Sequence, residues 1–525
     1  MNISRCVKAH RTVSRLRRLA AKVLLKALLS VCTTITATFS HAAGTVSIEA
    51  EKELMRDLET LRQQHNVAAL GLVIVKDDRI KLLEVRGLSS RNPAVPIKND
   101  AIFRIGSISK MFAGLAAANL ESRGVISLDA PVHSATTQDT YSNPWRTQHP
   151  ITIAQLLEHT AGLEGLSQAE WDFSDPQQPP LRKTLRLYPE ARVVKWPPGL
   201  HYSYSNAGAG LAGYVMENST GEAWEDLLRK EIFKPLGLSD TTVLKPSHRR
   251  LASGYDTDGN TLIPYWHQIF RPFAAINSSL GDMGRWVRML IKRGQLDGVR
   301  IFPAEVIDRI ETPETSLAAR RGLTHGYGLG NYQWLTDGVL FHGHGGDADG
   351  YLSKLGYTRR NDSGYFLVIT AFQSSTLFKM QKRVERYLAE TRGEQIIPTV
   401  VALSPKEIEL ISGQYQRITR RFPRPEQLST SPSMQIYSKG GRLFSQDFGG
   451  RSKRLLPVTS ELFRRPGENR ATLFIGRGDD NQIYYQDGSD NFRKLATPVL
   501  LNPTDLEHAP TGHSPGMASK ITFRE

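Results

Sequence analysis

Two groups of strand-like segments flank a long helix-rich stretch, and this order limits the possible folds more than any other feature of the sequence. The first group is a hairpin after an amphipathic helical pattern, and the second returns after about residue 320 and ends in another helical pattern. The segments are the helical residues 48–65, the strands 68–75 and 80–86, the returning strands 338–341, 351–357 and 365–372, and the helical residues 377–392. An α+β fold explains this order most simply: an antiparallel sheet flanked by its terminal helices, with a helical domain inserted between its strands.

The character of the sequence changes near residues 393–405. From residue 411 to about 501 the chain has only short strand patterns separated by turns, which predicts a small antiparallel barrel or sandwich. We therefore expect one domain over residues 44–398, a second over residues 404–500, and a flexible tail over residues 501–525.

Residues 1–42 carry eight basic side chains and no acidic one, and residues 27–39 within them are uncharged. A basic segment, a short apolar run and the small-residue sequence at residues 40–43 are typical of a cleaved signal peptide. A membrane anchor is the alternative, but a span needs about 20 apolar residues and this run is shorter. We expect a signal peptide over residues 1–42, export to the periplasm or the medium, and no stable membrane span after its removal.

Both cysteines of the chain, Cys6 and Cys32, lie in this predicted leader. A mature protein without the leader has no thiol, which excludes disulfides, cysteine nucleophiles and cysteine-bound metals. Eight of the 67 basic side chains, but none of the 52 acidic ones, also lie there, so the formal charge of +15 overstates the charge of the folded part. A nucleic-acid-binding protein concentrates positive charge on its folded domain, so we expect no nucleic-acid partner.

Ser107 and Lys110 lie three residues apart at the start of a helical pattern that continues to about Ser122. Residues at this spacing share one face of a helix, so the lysine amine is placed to take the serine proton if burial lowers its pKa. Taken alone the pattern is weak, because Ser-x-x-Lys occurs about twice by chance in a chain of this length.

Tyr204 and Asn206 follow the helix breaker at residues 197–199 and precede an apolar helical pattern. A phenol beside a lysine is able to relay a proton, and a carboxamide is able to hold a substrate amide or orient the lysine. The alternative is structural: a helix cap formed by serine or asparagine, with a packed tyrosine beside it.

A third segment contains His342 and His344, followed by Gly345, Gly346 and Asp347, on the strand predicted to re-enter the sheet. The two histidines leave a metal cluster as an alternative. Glycines, however, suit the close approach of a substrate to the backbone better than they suit a ligand cage. We expect no metal and no cofactor.

In this order, Ser107-x-x-Lys110, Tyr204-x-Asn206 and His344-x-Gly346 resemble the motifs of the serine β-lactamase, penicillin-binding protein and esterase superfamily. Four further segments are similar to landmarks of that superfamily: Leu-Leu-Glu-His-Thr-Ala-Gly-Leu at 156–163, Pro-Gly at 198–199, Pro-Leu-Gly-Leu at 235–238 and Tyr-Gly-Leu-Gly at 327–330. The resemblance covers about residues 48–398 and implies a β-lactamase/transpeptidase-like fold.

The resemblance also implies the role of each residue. Ser107 would attack a carbonyl and form an acyl-enzyme, Lys110 would act as its base, and Tyr204 would share or relay the proton to the leaving group. Asn206 would contact the acyl amide of the substrate. The backbone N–H groups of Ser107 and Asp347 would form the oxyanion hole.

The third motif departs from the superfamily pattern. Members that act on penicillins or D-Ala-D-Ala peptides mostly have Lys-Thr-Gly or Lys-Ser-Gly there, whereas this chain has His344, Gly345 and Gly346. A substrate carboxylate would lose a charge-assisted hydrogen bond of about 1.5–3 kcal/mol. We therefore expect an exported esterase or D-aminoacyl amidase or peptidase. The alternatives are a β-lactamase or DD-carboxypeptidase, and a non-catalytic protein that binds peptidoglycan or a small ligand.

The C-terminal residues 404–500 resemble the small lipocalin-like barrel appended to some hydrolases of the superfamily, through short matches at 411–415, 441–444 and 456–463. Such a barrel either shapes the active-site entrance, makes an oligomer contact, or only stabilises the protein. The expected partner is a small ester, amide or lactam substrate, and the sequence leaves an oligomer open.

Overall fold

The computed structural model describes residues 49–137, 139–246, 249–389, 396–419, 433–448, 450–488 and 490–496. The predicted leader and tail, including both cysteines, lie outside these residues. The chain divides into two compact units, residues 1–60 and residues 61–525. In the first unit the described residues 49–60 are helical, and helix α1 (49–64) agrees with the pattern predicted at 48–65. No helix in the described ranges combines the length and apolar character needed to cross a bilayer.

The elements of the second unit follow the predicted order of strands, helices, strands and barrel. The strands are β1 (Ala69–Lys76), β2 (Arg79–Arg91), β3 (Ala94–Pro96), β4 (Ile102–Arg104), β5 (Gly254–Tyr255), β6 (Leu262–Ile263), β7 (Asn277–Ser279), β8 (Gln295–Leu296), β9 (Val299–Arg300), β10 (Tyr332–Thr336), β11 (Val339–Ala348), β12 (Tyr351–Thr358), β13 (Ser363–Ile369), β14 (Gly413–Arg417), β15 (Met434–Lys439), β16 (Arg442–Asp447), β17 (Lys453–Pro457), β18 (Leu462–Arg464), β19 (Leu473–Arg477), β20 (Ile483–Gln486) and β21 (Asn491–Lys494).

The α-helices lie mostly between β4 and β10. They are α2 (Ser109–Ser122), α3 (Ile153–Leu157), α4 (Gln168–Asp172), α5 (Leu181–Thr184), α6 (Asn206–Thr220), α7 (Trp224–Leu228), α8 (Lys234–Leu236), α9 (Arg271–Ala274), α10 (Leu280–Ile291), α11 (Ala304–Glu311), α12 (Leu317–Arg320), α13 (Ser374–Ala389) and α14 (Pro405–Ile411). Short 3-10 turns occur at Gly106–Ile108, Val132–Ser134 and Pro189–Ala191, and a π-helical turn at Arg229–Phe233.

The central sheet has seven strands in the order β10-β11-β12-β13-β1-β2-β3, and every neighbouring pair is antiparallel. Strands from the two ends of the chain meet where β1 pairs with β13, for example Leu72 with Leu367. The long helical stretch is therefore an insertion between strands of one sheet, which confirms the predicted α+β architecture.

Helices cover both faces of this sheet. A Cβ on Gly364 would contact Val287 of α10, whereas the next residue, Tyr365, donates a hydrogen bond to Glu385 of α13. Neighbouring strand residues point to opposite faces, so α10 and α13 lie on opposite sides of the sheet.

Helix α2 is buried along almost its whole length, from Ser109 to Leu120. Apart from Lys110 and Asn119, the buried residues are apolar or small all round, as expected of a helix enclosed by other elements rather than lying at the surface. Phe112 stacks on Trp286 of α10 at a ring-centroid distance of 3.9 Å. The helix that carries the predicted Ser-x-x-Lys motif is thus fixed in the main core.

Strands β14 to β21 form a closed barrel in which β14 pairs with β21. Alternating residues such as Met434 and Ile436 of β15 point inward, and an aromatic and aliphatic cluster fills the interior. Closure leaves this sheet without open edges. The predicted small antiparallel barrel is confirmed.

Candidate active site

Ser107 lies in the 3-10 turn that leads into α2, and only 8% of its surface is exposed. The preceding Gly106 has φ +55°, and a Cβ at this position would overlap the backbone of Asp347 on β11. Only glycine combines this left-handed conformation with such close contact. The hydroxyl is therefore presented on a turn that lies directly against the returning strand.

Lys110 connects the serine to the inserted helical region. Its Nζ donates hydrogen bonds to Ser107 Oγ at 3.1 Å, to Asn206 Oδ1 at 2.8 Å and to the carbonyl oxygen of Phe273 at 3.1 Å. These acceptors belong to three separate elements, namely the 3-10 turn, α6 and α9. The amine is held within proton-transfer distance of the serine hydroxyl.

Tyr204 lies just before α6, with its ring centroid 4.7 Å from Lys110 Nζ. The cap of α6 is Ser205, whose Oγ accepts a hydrogen bond from Gly208 N–H at 3.1 Å. The helix cap that we gave as the structural alternative for this segment is therefore present, and Ser205 forms it. Tyr204 and Asn206, on either side of the cap, both reach Lys110. The structure brings the predicted hydroxyl, amine, phenol and carboxamide together.

The glycines of β11 permit close backbone contact with the turn Gly106–Ile108, named the nucleophile turn here because it carries the predicted nucleophile Ser107. A Cβ on Gly346 would overlap the carbonyl oxygen of Ile105, whereas a Cβ on Gly345 would come no nearer than 3.5 Å to Tyr332 Oη. Asp347 follows at the position that contacts Gly106. Its backbone amide therefore lies beside the turn that carries Ser107.

His344 is buried and hydrogen-bonded at both ring nitrogens. Nε2 lies 2.7 Å from Tyr327 Oη, and Nδ1 contacts the carbonyl oxygen of Gly345. A carbonyl only accepts, so Nδ1 carries a proton, and in a neutral imidazole Nε2 then accepts from the tyrosine hydroxyl. Its ring lies 6.2 Å from that of Tyr204, centroid to centroid.

His342, the other histidine of the third segment, has different surroundings. Its ring stacks on Tyr357 at 5.6 Å, and Nδ1 lies 3.8 Å from Glu311. Burial, reinforced by the charge of Arg359, lowers the pKa of His342 to about 3. Within the described ranges, no three His, Cys, Asp or Glu side chains are grouped so as to hold a metal ion.

Sequence reasoning missed two side chains of the site, His159 and Tyr327. His159 has φ +60°, and its Nδ1 accepts a hydrogen bond from Ser205 N–H at 3.1 Å. Its ring centroid lies 4.3 Å from Tyr204 and 4.6 Å from Tyr327. Both residues belong to segments that carried the family resemblance, and that was the signal that could have found them.

Comparison with known proteins identifies the family and the fold. A family model described as Beta-lactamase matches residues 51–390. Penicillin-binding protein 4 of Amycolatopsis lactamdurans is 24% identical over 68% of this chain and 96% of its own. Esterase EstB of Burkholderia gladioli is 28% identical over 38% of this chain and 52% of its own. The octameric penicillin-binding protein homologue from Pyrococcus abyssi has a similar fold, with a TM-score of 0.56 and 20% identity over 84% of this chain and 99% of its own.

Proposed function

The chain belongs to the Beta-lactamase family, whose members are serine hydrolases, and we propose that it cleaves acyl esters or amides through an acyl-enzyme on Ser107. The observation that carries this proposal is the hydrogen bond of 3.1 Å between Lys110 Nζ and Ser107 Oγ in a buried site. A nucleophile paired with a base is the arrangement that covalent acyl transfer requires.

In the first step, Ser107 Oγ attacks the substrate carbonyl while Lys110, in its neutral form, takes the hydroxyl proton. Charge then develops on the carbonyl oxygen, and the backbone N–H groups of Ser107 and Asp347 are proposed to receive it. Such a donor typically contributes about 3 kcal/mol to transition-state stabilisation.

In the second step, the proton passes to the leaving group as the tetrahedral intermediate collapses. Tyr204 is proposed to relay it, because its ring lies 4.7 Å from the lysine Nζ. Asn206 is proposed to hold the acyl amide of the substrate while it also bonds to Lys110. Water then attacks the acyl-enzyme while Lys110 accepts a proton from it, and that proton returns to Ser107 Oγ as the acyl–oxygen bond breaks and the acid leaves.

Esters and amides are preferred over β-lactams in this proposal because of His344. A Lys-Thr-Gly motif presents a permanent cation and a hydroxyl to a substrate carboxylate, whereas His344 is engaged by Tyr327 and Gly345 has no side chain. We expect simple esters or D-aminoacyl amides to be the faster substrates.

The test uses the purified full chain with a p-nitrophenyl ester, a D-aminoacyl p-nitroanilide and a chromogenic cephalosporin. The ester or the anilide should be hydrolysed at least about tenfold faster than the cephalosporin, in line with the lost charge-assisted bond. Ser107→Ala is the matched control and should abolish turnover of all three. A higher kcat/KM for the cephalosporin would reverse the proposed order and favour a β-lactamase or DD-carboxypeptidase.

Mass spectrometry after treatment with a fluorophosphonate separates an enzyme from a binding protein. An adduct on Ser107 that is absent from Ser107→Ala supports catalysis. Absence of both adduct and turnover at high probe excess would favour the non-catalytic alternative.

Export completes the proposal and is supported by the basic and apolar pattern of residues 1–42. Amino-terminal sequencing of protein recovered from the periplasm or the medium should give a start near residue 43. Recovery of the uncleaved chain from the cytoplasm alone would contradict export.

A further inference from the structure

The hairpin of β20 and β21 carries two buried carboxamide side chains, Gln486 and Asn491. They are direct partners in the antiparallel register, and their exposed fractions are 2% and 1%. Burying a carboxamide is costly unless its polar atoms are hydrogen-bonded, so the bonds that these two side chains make are informative. Asn491 Oδ1 is buried without a hydrogen-bond partner, which leaves Nδ2 as the bonding group of that side chain.

Both carboxamides bond to the backbone of the hydrolase domain rather than within the barrel. Asn491 Nδ2 donates to the carbonyl oxygen of Tyr202 at 2.7 Å, and Gln486 Nε2 donates to that of Leu200 at 2.9 Å. Gln486 Oε1 accepts a third bond from the N–H of Ala318 at 2.9 Å. One hairpin thus holds two separate segments of the hydrolase domain.

These two segments lead to the two tyrosines of the site. Tyr202 is two residues before Tyr204, and α12, which contains Ala318, ends seven residues before Tyr327. The turn of the hairpin also approaches the second segment directly, since a Cβ on Gly488 would lie 3.4 Å from the Cα of Gly326. The barrel therefore contacts the chain just before each phenol.

Apolar residues pack beside these hydrogen bonds. The cluster contains residues of both the hydrolase domain and the barrel: Leu317, Ala318, Leu323, Phe474 and Tyr484, with Leu200 and Leu462 packed at its edge. If a backbone carbonyl in this apolar contact loses its hydrogen-bond partner, either the chain shifts to bring the carbonyl to another donor or the protein is destabilised.

We infer that Gln486 and Asn491 are positioning residues, which act through the backbone to hold Tyr204 where the proposed proton relay requires it and Tyr327 where it bonds to His344. The inference rests on the proposed function of Tyr204 as proton relay. Since displacements of about 1 Å can reduce a rate about 100-fold, loss of either carboxamide should lower kcat.

The first test compares Asn491→Ala and Gln486→Ala with Asn469→Ala in the full chain, using the p-nitrophenyl ester. Asn469 is a matched control, because its Nδ2 also joins the barrel to a hydrolase carbonyl, that of Gly338 at 3.0 Å, but on neither tyrosine segment. The first two variants should lose about 10- to 100-fold in kcat with a smaller change in KM, and Asn469→Ala less than about threefold. Equal effects in all three would overturn the inference.

A double-mutant cycle shows whether Asn491 acts through Tyr204. In a Tyr204→Phe background, Asn491→Ala should lower kcat little further, because the group that it positions is already missing. A full multiplicative loss in that background would mean that Asn491 acts elsewhere and would contradict the inference. Asn491→Ser shortens the reach but keeps a polar side chain, and it replaces Asn491→Ala if the latter does not fold.

Hydrogen exchange supplies a readout that does not depend on activity. Asn491→Ala should speed amide exchange in residues 199–204, and Gln486→Ala in both 199–204 and 317–327, whereas Asn469→Ala should alter neither segment. Unchanged exchange would overturn the positioning role even for an active enzyme. If the wild type neither turns over the ester nor is labelled at Ser107, faster exchange would still support the positioning, and the proposed function would be the part that fails.

Discussion

At the scale of single residues, the geometry of the site depends on glycines as much as on the residues that carry functional side chains. Gly106 and Gly346 allow the nucleophile turn and β11 to meet backbone to backbone. Gly345 belongs to the same motif but has room for a side chain, because the atom nearest to a Cβ there would be Tyr332 Oη at 3.5 Å. The two glycines of the third motif are therefore not equivalent.

Gly346→Ala should destabilise the protein by about 1–3 kcal/mol, because the new methyl group overlaps the carbonyl oxygen of Ile105 and forces the strand away from the nucleophile turn. Gly345→Ala is the matched variant and should cost less than about 0.5 kcal/mol. Denaturant unfolding of both variants measures the difference. Equal losses of stability would show that β11 accommodates a side chain at either position.

At the scale of elements, the start of α6 places two site residues with one cap. Ser205 Oγ accepts from Gly208 N–H and donates to the carbonyl oxygen of Glu164 at 2.6 Å. Because Tyr204 and Asn206 are its immediate neighbours, the cap fixes the direction in which the phenol and the carboxamide point. Here helix initiation and site geometry depend on the same hydroxyl.

Ser205→Ala should lose about 1–2 kcal/mol of stability and also lower kcat, because cap loss frees the residues on either side. The control is Ser404→Ala, which removes the equivalent cap of α14, where Oγ accepts from Glu407 N–H at 3.3 Å. The free energy of unfolding of that variant should fall by up to about 1 kcal/mol, and its kcat should stay unchanged. Unfolding curves and ester kinetics on both proteins separate the two effects, and an unchanged kcat in Ser205→Ala would contradict this account.

Elements with a clear period were predictable from the sequence, and those without one were not. The hairpin of β1 and β2 and the return of β12 and β13 follow from strand-like runs bounded by turn residues, as do the short strands of the C-terminal domain. The same pattern left a barrel or a sandwich open there, and the barrel was implied by the family resemblance. Strand β10 was missed because Tyr332–Thr336 mixes polar and aromatic residues that are mostly half-buried. In β11 (Val339–Ala348) the strand pattern itself is clear only over residues 338–341, because the glycines that follow lower strand propensity. The third motif was nevertheless placed on this strand.

The candidate site was predictable only in part. The contact of Ser107 with Lys110 follows from helix spacing, but Tyr204 and His344 were assigned by family resemblance, since nothing in their local sequence indicates what they meet. The bonds from Gln486 and Asn491 join side chains to distant backbone groups. Such bonds impose no pattern on the sequence of the partner, so they become visible only in the fold.

At the scale of the whole molecule, the contact between barrel and hydrolase domain contains a buried histidine, His201. It lies between the two residues held by the carboxamides, is 5% exposed, and its ring centroid is 5.1 Å from that of Tyr484. Burial lowers the pKa of His201 to about 3, with Asp480 opposing the shift and Arg493 adding to it. The contact is therefore built around a neutral imidazole.

This histidine makes stability depend on pH. Above about pH 6.5 it is neutral in the folded and the unfolded chain, and its contribution is fully present. As the pH falls from 6.5 towards 3, the unfolded chain binds a proton that the folded protein does not, so stability is lost. Between pH 7 and pH 5 the wild type should lose up to about 2 kcal/mol more than His201→Gln. Denaturant unfolding at both pH values measures this, with the exposed His149→Gln as control, and equal losses in all three proteins would refute the prediction.

The contact of Gly106 with Asp347 joins parts of the chain roughly 240 positions apart, with the whole helical insertion between them. Pairings of such long range form late, because the entropy of closing the loop has to be met before the contact contributes. A chain that is still folding therefore has its helices and hairpins before Ser107 lies beside Asp347. Recovery of turnover is accordingly a stricter criterion of native protein than recovery of a circular dichroism spectrum.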